Sequence, residues 1–263
     1  MVTAPYLAFI YLSVSWHNSL NIQYLFTNNK GRDFVCGDIH GCFNLLEEKL
    51  AEVEFDPCSD RLFSVGDTID RGADSEQALH YFEKQWFYCV RGNHEQMFLD
   101  WITEETPVFR NDAFRFHIHN GGLWVADFLG IHIQKLADDM QQEGHITQKY
   151  PALRLWADAI KKLPYAIEIK SKDQRIGIIH AEIPDTVKWT SLESELHKTN
   201  ILYSILFSRK FIQNQKLKNY QIQGVDAIYC GHTILEKPIT KGNVHYIDTG
   251  AYTRKTLTLI ELT

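Results

Sequence analysis

Three short apolar runs, each ending in a glycine-flanked polar cluster, limit the possible folds of this chain more than any other feature. Phe34 to Cys36 runs into GDIHG (Gly37 to Gly41), Leu62, Phe63 and Val65 lead into GDTIDRG (Gly66 to Gly72), and Trp86 to Val90 leads into RGNHE (Arg91 to Glu95). Carboxylates, imidazoles and an amide bracketed by glycines at strand ends suit a charged ligand better than packing. Asp38 precedes Asp67 by 29 residues, and Asp67 precedes Asn93 by 26. Both spacings are close to the roughly 30 residues of one strand-helix-strand unit. The three clusters are therefore expected at the same edge of one sheet.

The intervening segments read as crossover helices. Phe43, Leu46, Leu50 and Val53 recur at steps of three and four, with Glu47, Glu48, Lys49 and Glu52 between them, which is the stripe of a helix with one buried face. Asp74 followed by Gln77 reads as a capping box that opens a second helix, with Ala78, Leu79 and Phe82 inward. Met97, Phe98 and Trp101 suit a third helix. The first hundred residues thus read as β-α-β-α-β-α with right-handed crossovers.

From about Thr103 to Pro164 the strand signal is lost, and a helical excursion over one end of the sheet is expected. His117 and His119, two apart beside Asn120, read there as surface or lid residues. Strand signals return at Ala166 to Ile169, at Arg175 to Ile179 before His180, at Ala227 to Cys230 before GHT (Gly231 to Thr233), at His245 to Ile247 and at Thr256 to Leu259. Late, closely spaced strands of this kind suggest a second sheet packed on the first as a sandwich.

Composition narrows the functional classes. With 263 residues and 44% hydrophobic content, residues 31–263 can form one large domain. A net charge of -6 lacks the basic face that nucleic-acid binding usually needs. The five cysteines include no CxxC pair, so a reducing, cytoplasmic chain without a disulfide framework is expected. Residues 1–30 read as an extension of uncertain role. Pro5 to Trp16 is apolar, but it is a poor secretory signal and too short to span a bilayer. A loosely ordered start, a strand packed on the body and a peripheral membrane or partner contact all stay open for it. No firm membrane association is expected.

Asp38 and His40, two apart beyond one strand, can face the same ion, and Asp67 can offer one oxygen to each of two ions. Asn93, His180 and His232 each follow a strand, where ligands gather in open α/β sheets. Mixed oxygen and imidazole donors without cysteine suit Mn, Fe or Zn better than Ca or a structural zinc site. Two ions bridged by a carboxylate and a water would lower the water's pKa and clamp an in-line phosphoryl displacement. A lone Asp-Xaa-His, or a histidine that closes a strand, is ordinarily surface or core chemistry. Five such clusters in order point to one site, that of a hydrolase acting on phosphate esters.

With these motifs in place, the chain resembles the metal-dependent phosphoprotein phosphatases, and among them the compact bacterial and phage lambda-type enzymes. The resemblance runs from Gly31 to the end: GDIHGC, SVGDTIDRGA, VRGNHEQM, NGG at Asn120 to Gly122, IGIIHAE, GHT and YIDTGA. It implies an α/β (α+β) calcineurin-like fold, a β-sandwich of two mixed sheets flanked by helices with a dinuclear metal site at strand ends. One metal would be held by Asp38, His40 and Asp67, and the other by Asp67, Asn93, His180 and His232, with Mn as the expected ion.

By the same resemblance, His94 protonates the leaving oxygen, Asp70 orients it, and Arg71 and Arg209 grip the phosphoryl oxygens, with Asn93 touching the phosphate as well. The implied activity is hydrolysis of phosphoserine and phosphothreonine in proteins, with phosphotyrosine as a second substrate class, by a monomer-sized enzyme attacking directly with metal-bridged hydroxide. The alternative is a symmetrical dinucleoside polyphosphate hydrolase on the same metal core, whose members usually lack the aspartate corresponding to Asp70. Two positions depart from the family pattern. Ile205-Leu206-Phe207-Ser208 replaces a tryptophan-rich run before Arg209, and Glu182 stands where aspartate is usual, a change expected to retune the rim and not the metals.

Overall fold

A computed structural model describes residues 21–103, 112–142, 146–214 and 220–262. Among them the strands are β1 (Ile22–Phe26), β2 (Asp33–Cys36), β3 (Arg61–Ser64), β4 (Phe87–Cys89), β5 (Ala166–Lys170), β6 (Arg175–Ile179), β7 (Ala227–Cys230), β8 (Ile239–Lys241), β9 (Val244–Tyr246) and β10 (Leu259–Leu262). The helices nearest the site are α1 (Phe43–Glu52), α2 (Gln77–Phe82), α3 (Asn93–Ile102) and α4 (Ala113–His117).

β2, β3 and β4 run parallel in the order expected, with Cys36 beside Ser64 and Ser64 beside Cys89. All three polar clusters therefore leave one edge. β10 closes this sheet antiparallel to β2, giving the order β10-β2-β3-β4. The other sheet runs β1-β5-β6-β7-β9-β8, with β6, β7 and β9 parallel and β5 antiparallel to β6. His180 follows β6 and His232 closely follows β7, so the second sheet delivers both histidines to the same rim.

Alternation along each strand sorts the side chains into layers. Val35, Phe63, Val65 and Val90 from one sheet meet Ile167, Ile169, Ile176 and Ile178 from the other, all buried. This is the sandwich core. The outer face of the smaller sheet packs Phe34, Cys36 and Leu62 against Phe43, Leu46, Phe98 and Trp156 from the helices. The outer face of the larger sheet packs Ile179 and Ile228 against Leu192, Ile201, Ile205 and Leu206. Each such Val, Leu, Ile or Phe side chain contributes about 1.5 to 3 kcal/mol by leaving water, and the two sheets are thereby locked with the edges that carry the polar clusters together.

The structure departs from the sequence reading in a few places. Ile22 to Phe26, in the segment of uncertain role for which a strand packed on the body is one open reading, pair in parallel with Ala166 to Lys170. The folded body therefore begins before residue 31, while Pro5 to Trp16 lie outside the described residues. The capping box at Asp74 does not form. α2 starts at Gln77 without a side-chain cap, because the Asp74 N–H donates to Gly41 O and Ser75 Oγ accepts the Asp70 N–H, both at 2.9 Å. The residues expected to cap a helix instead brace the turn that carries Asp70. Tyr81 fills the inward position of α2, with Leu79 and Phe82 only half-buried. β8 carried no clear signal, and β10 begins at Leu259 instead of Thr256.

Candidate metal centre and active site

Where the strands stop, the backbone turns into the left-handed region. Among the described residues, seven non-glycine residues have positive φ, and five are His40 (46°), Asp67 (51°), Asp70 (71°), Arg71 (71°) and His232 (67°). Side chains with a Cβ rarely adopt this backbone, although Asp, Asn and His do so most readily. Here it is held by hydrogen bonds. The N–H groups of Ile39 and His40 both donate to Asp67 O, at 3.1 and 2.8 Å. Buried Glu95 accepts from Gly92 N at 2.8 Å, Asp67 N at 2.9 Å, Thr68 N at 2.7 Å and Thr68 Oγ1 at 2.8 Å. One carboxylate in the first turn of α3 thus ties the third polar cluster to the second. Glu95 goes unassigned in the sequence, although the Gly92-Xaa-Xaa-Glu95 spacing of an N-cap and its N3 acid is a usable signal.

Among the described residues, two sets of donors have their ligand atoms within 4.8 Å of one another: His40, Asp67 and His94, and Asp67, His180 and His232. Asp67 is common to both. Its Oδ2 lies 3.5 Å from His40 Nε2 and 3.8 Å from His94 Nε2, while Oδ1 lies 3.5 Å from His180 Nε2. Asn93 Oδ1 joins the second set, 2.8 Å from His180 Nε2. The far ring nitrogens of the expected ligands face backbone carbonyls: His40 Nδ1 meets Ile69 O at 2.9 Å, His180 Nδ1 meets Val65 O at 2.8 Å and His232 Nε2 meets Phe207 O at 3.1 Å. A carbonyl only accepts, so each ring carries its proton there and turns a lone pair inward.

Electrostatics favour the same ligand-ready forms. Burial holds the imidazoles of His180 and His232 below their ordinary range, and burial together with His94 takes His40 down to about 3. All three are therefore neutral at neutral pH. Burial pushes the Asp67 carboxyl up, but His180, His94 and His40 outweigh it and hold the group below the usual carboxylate range. Asp38 falls outside both donor sets and accepts the His232 N–H at 3.2 and 3.1 Å. Burial first, then the charges of Asp248 and Asp67, push its carboxyl well up. Asp248 rises to about 6 through burial, opposed by the Gly250 N–H and reinforced by Asp67. Three acids buried together against neutral imidazoles keep all their charges only with compensating positive charge. Nitrogen and oxygen donors without thiolate fit divalent transition-metal ions, so the residues present suit such a group.

Beside this centre, Asp70 is fully buried and accepts from His94 Nδ1 at 2.6 Å, which leaves His94 Nε2 facing the first donor set. Asp70 Oδ1 also accepts from Trp124 Nε1 at 2.7 Å and from His117 Nε2 at 3.0 Å. Burial raises the Asp70 carboxyl, yet His117 and His94 hold it below the usual range. The structure thus corrects the reading of His117 as a surface or lid residue: its ring is fully buried, whereas His119 is exposed. No local pattern marks it, because its partner lies 47 residues away.

Arg71 and Arg209 are both exposed at the mouth. Arg71 Nη1 lies 3.0 Å from His40 Nε2, and its guanidinium sits 4.8 Å from the centroid of the Tyr252 ring. Gly121, at φ +116°, lies flat against it, and a Cβ there would meet Arg71 Cγ at 2.7 Å. Arg209 Nη2 donates to His232 O at 3.0 Å. Its turn is anchored from below by buried Glu182, which accepts from Ser208 Oγ at 2.7 Å, Phe211 N at 3.0 Å, Ile212 N at 2.8 Å and Tyr246 Oη at 3.2 Å. Glu182 therefore secures the arginine-bearing rim.

Two mixed sheets with a shared histidine and aspartate centre at their strand ends define a metallophosphoesterase. The chain belongs to the calcineurin-like phosphoesterase family, whose profile matches residues 34–235. It is 34% identical over 234 residues to serine/threonine-protein phosphatase 1 of Salmonella typhimurium, covering 87% of this chain and 91% of that one. It is 23% identical over 262 residues to a symmetrical bis(5'-nucleosyl)-tetraphosphatase of Xylella fastidiosa, with 87% of each chain covered. A protein serine/threonine phosphatase from Saccharomyces cerevisiae has a similar fold, with a TM-score of 0.53 at 16% identity over 89% of this chain and 73% of that one. No helix among the described residues is long and apolar enough to cross a membrane.

Proposed function

We propose that this chain is a metal-dependent protein phosphatase that hydrolyses phosphoserine and phosphothreonine, with phosphotyrosine as a second substrate class. The observation that carries the reading is the 2.6 Å pairing of buried Asp70 with His94, whose Nε2 faces the first donor set. Similarity to bacterial serine/threonine-protein phosphatases over most of the chain supports it. Asp38, His40 and Asp67 would hold one divalent ion, and Asp67, Asn93, His180 and His232 the other, with Mn preferred over Fe or Zn. When bound, the ions supply Lewis-acid activation of water and charge compensation at the phosphoryl oxygens.

The chain's own residues do the rest. Arg71 and Arg209 present guanidinium forks that match pairs of phosphoryl oxygens, and their charge matters most as negative charge develops. Asn93 touches the phosphate from the start of α3. As the bond from phosphorus to the serine oxygen breaks, its electron pair stays on that oxygen, which takes the proton from His94 Nε2. Water supplies the oxygen and one proton that end on the phosphate, and its other proton replaces the one that His94 gave up. Asp70 holds His94 Nδ1–H, and so keeps Nε2 aimed at the leaving atom. Residues 31–263, with β1 joined to them, would act as one catalytic domain, monomeric and cytoplasmic. Five free cysteines without a CxxC pair support a reducing setting.

The rival reading, supported by similarity to the tetraphosphatase, is cleavage of a dinucleoside polyphosphate. A phosphoserine peptide, a phosphotyrosine peptide and diadenosine tetraphosphate offered side by side to the Mn-loaded protein separate the two. Turnover of phosphopeptide should dominate in kcat/KM. Dominant cleavage of the dinucleotide would overturn the proposal.

A further inference from the structure

We infer that His117 is a positioning residue for proton transfer to the leaving group, acting through Asp70 on His94. The inference rests on the phosphatase reading above and deepens it.

The tautomer of His117 is fixed by its neighbours. Trp101 Nε1 lies 3.0 Å from His117 Nδ1, and an indole N–H can only donate. Nδ1 therefore carries the lone pair, and the proton sits on Nε2. That Nε2–H lies 3.0 Å from both oxygens of Asp70. Trp124 Nε1–H takes Oδ1 at 2.7 Å, and His94 Nδ1 takes Oδ2 at 2.6 Å. With three donors converging on one buried carboxylate, rotation about its last bond would break all of them, so the direction of the His94 ring is set. His94 Nε2 then points where a leaving oxygen would sit, and not toward some other rotamer.

The surrounding chain is shaped to accept His117. It ends α4 and enters the Ile118–Gly122 turn. A Cβ on Gly122 would lie 2.4 Å from both Cε1 and Nδ1 of the His117 ring, so the second glycine of the NGG turn is required by this imidazole. Trp101, His117 and Phe98 also pack closely, edge-to-face or tilted, with ring centroids 5.4 to 6.0 Å apart. A segment outside both sheets thus reaches into the site and determines how the proton donor is held.

A role through the proton donor differs from a role in packing in its dependence on the leaving group. Serine leaves as a poor alkoxide that needs a proton, whereas p-nitrophenol leaves as a stable anion. The test compares wild type, His117→Phe and His117→Gln on a phosphoserine peptide and on p-nitrophenyl phosphate, with bound metal measured alongside. His117→Phe should lower kcat on the peptide ~10-fold to ~100-fold more than on p-nitrophenyl phosphate, part of the ~10²- to 10⁴-fold that a general acid contributes. KM should change little. His117→Gln, which can accept from Trp101 and donate to Asp70, should recover most of the loss. In a His94→Asn background the His117→Phe effect should disappear. Equal slowing on both substrates, or an effect that persists without His94, would overturn the inference. Wild-type inactivity toward the peptide would instead defeat the substrate reading, and glycerol phosphate against p-nitrophenyl phosphate would then make the same comparison.

Discussion

Asp67→Asn is expected to lower kcat/KM on a phosphoserine peptide by about three orders of magnitude or more and to strip metal from the protein. Asp67 is the only residue common to both donor sets, with Oδ2 facing His40 and His94 and Oδ1 facing His180. The amide keeps the size and one acceptor of the side chain but removes the charge that would serve two ions at once. Ions in such a site supply several kcal/mol of transition-state stabilisation, and each 1.36 kcal/mol is a factor of ten in rate. The backbone at Asp67 should survive, because Glu95 holds its N–H independently of the side chain. Metal content by elemental analysis and kcat/KM together check the prediction. Unchanged metal content with a near-normal rate would remove Asp67 from the centre.

His94→Asn should slow turnover of the same peptide by about 10² to 10⁴, the range expected for loss of a general acid, while bound metal stays at the wild-type level. Asparagine can still donate an amide N–H toward Asp70, so a buried carboxylate is not left bare and the fold should hold. The outcome decides between two assignments of one atom. His94 Nε2 lies among the donors of the first set, yet Nδ1 is committed to Asp70 at 2.6 Å, the arrangement of a proton donor. Retained metal with slow turnover gives His94 the acid's role. Lost metal would make it a ligand, and undiminished turnover would exclude both roles.

Much of this site is legible in the sequence, because the residues that matter follow strands and the strands announce themselves. Apolar runs with one polar stop at Asp38, Asp67 and Asn93, spaced by one crossover unit, leave little choice but a shared sheet edge. His180 and His232 read the same way. What the sequence does not carry is the contact between distant segments. His117 lies in a region with only diffuse helical signal, and nothing near it tells that its ring faces Asp70. Trp124 is hidden for the same reason. Glu95 reads as an ordinary acid and Glu182 only as a change at the rim, because most of their partners are backbone N–H groups, which every residue but proline has. The capping box at Asp74 and Gln77 misleads, since two short-range preferences compete there. Ser75 and Asp74 satisfy the backbone around Gly41 and Asp70 rather than a helix terminus, because the site depends on that turn and a six-residue helix can begin late.

The most direct test of the central claim is hydrolysis of a phosphoserine peptide by protein stripped with a chelator and then restored with a single divalent ion. The donor chemistry predicts that the stripped protein is inactive and that a divalent transition-metal ion, Mn in the proposed reading, restores turnover in step with the metal bound. Full hydrolysis after complete stripping, or none with any ion bound, would contradict it.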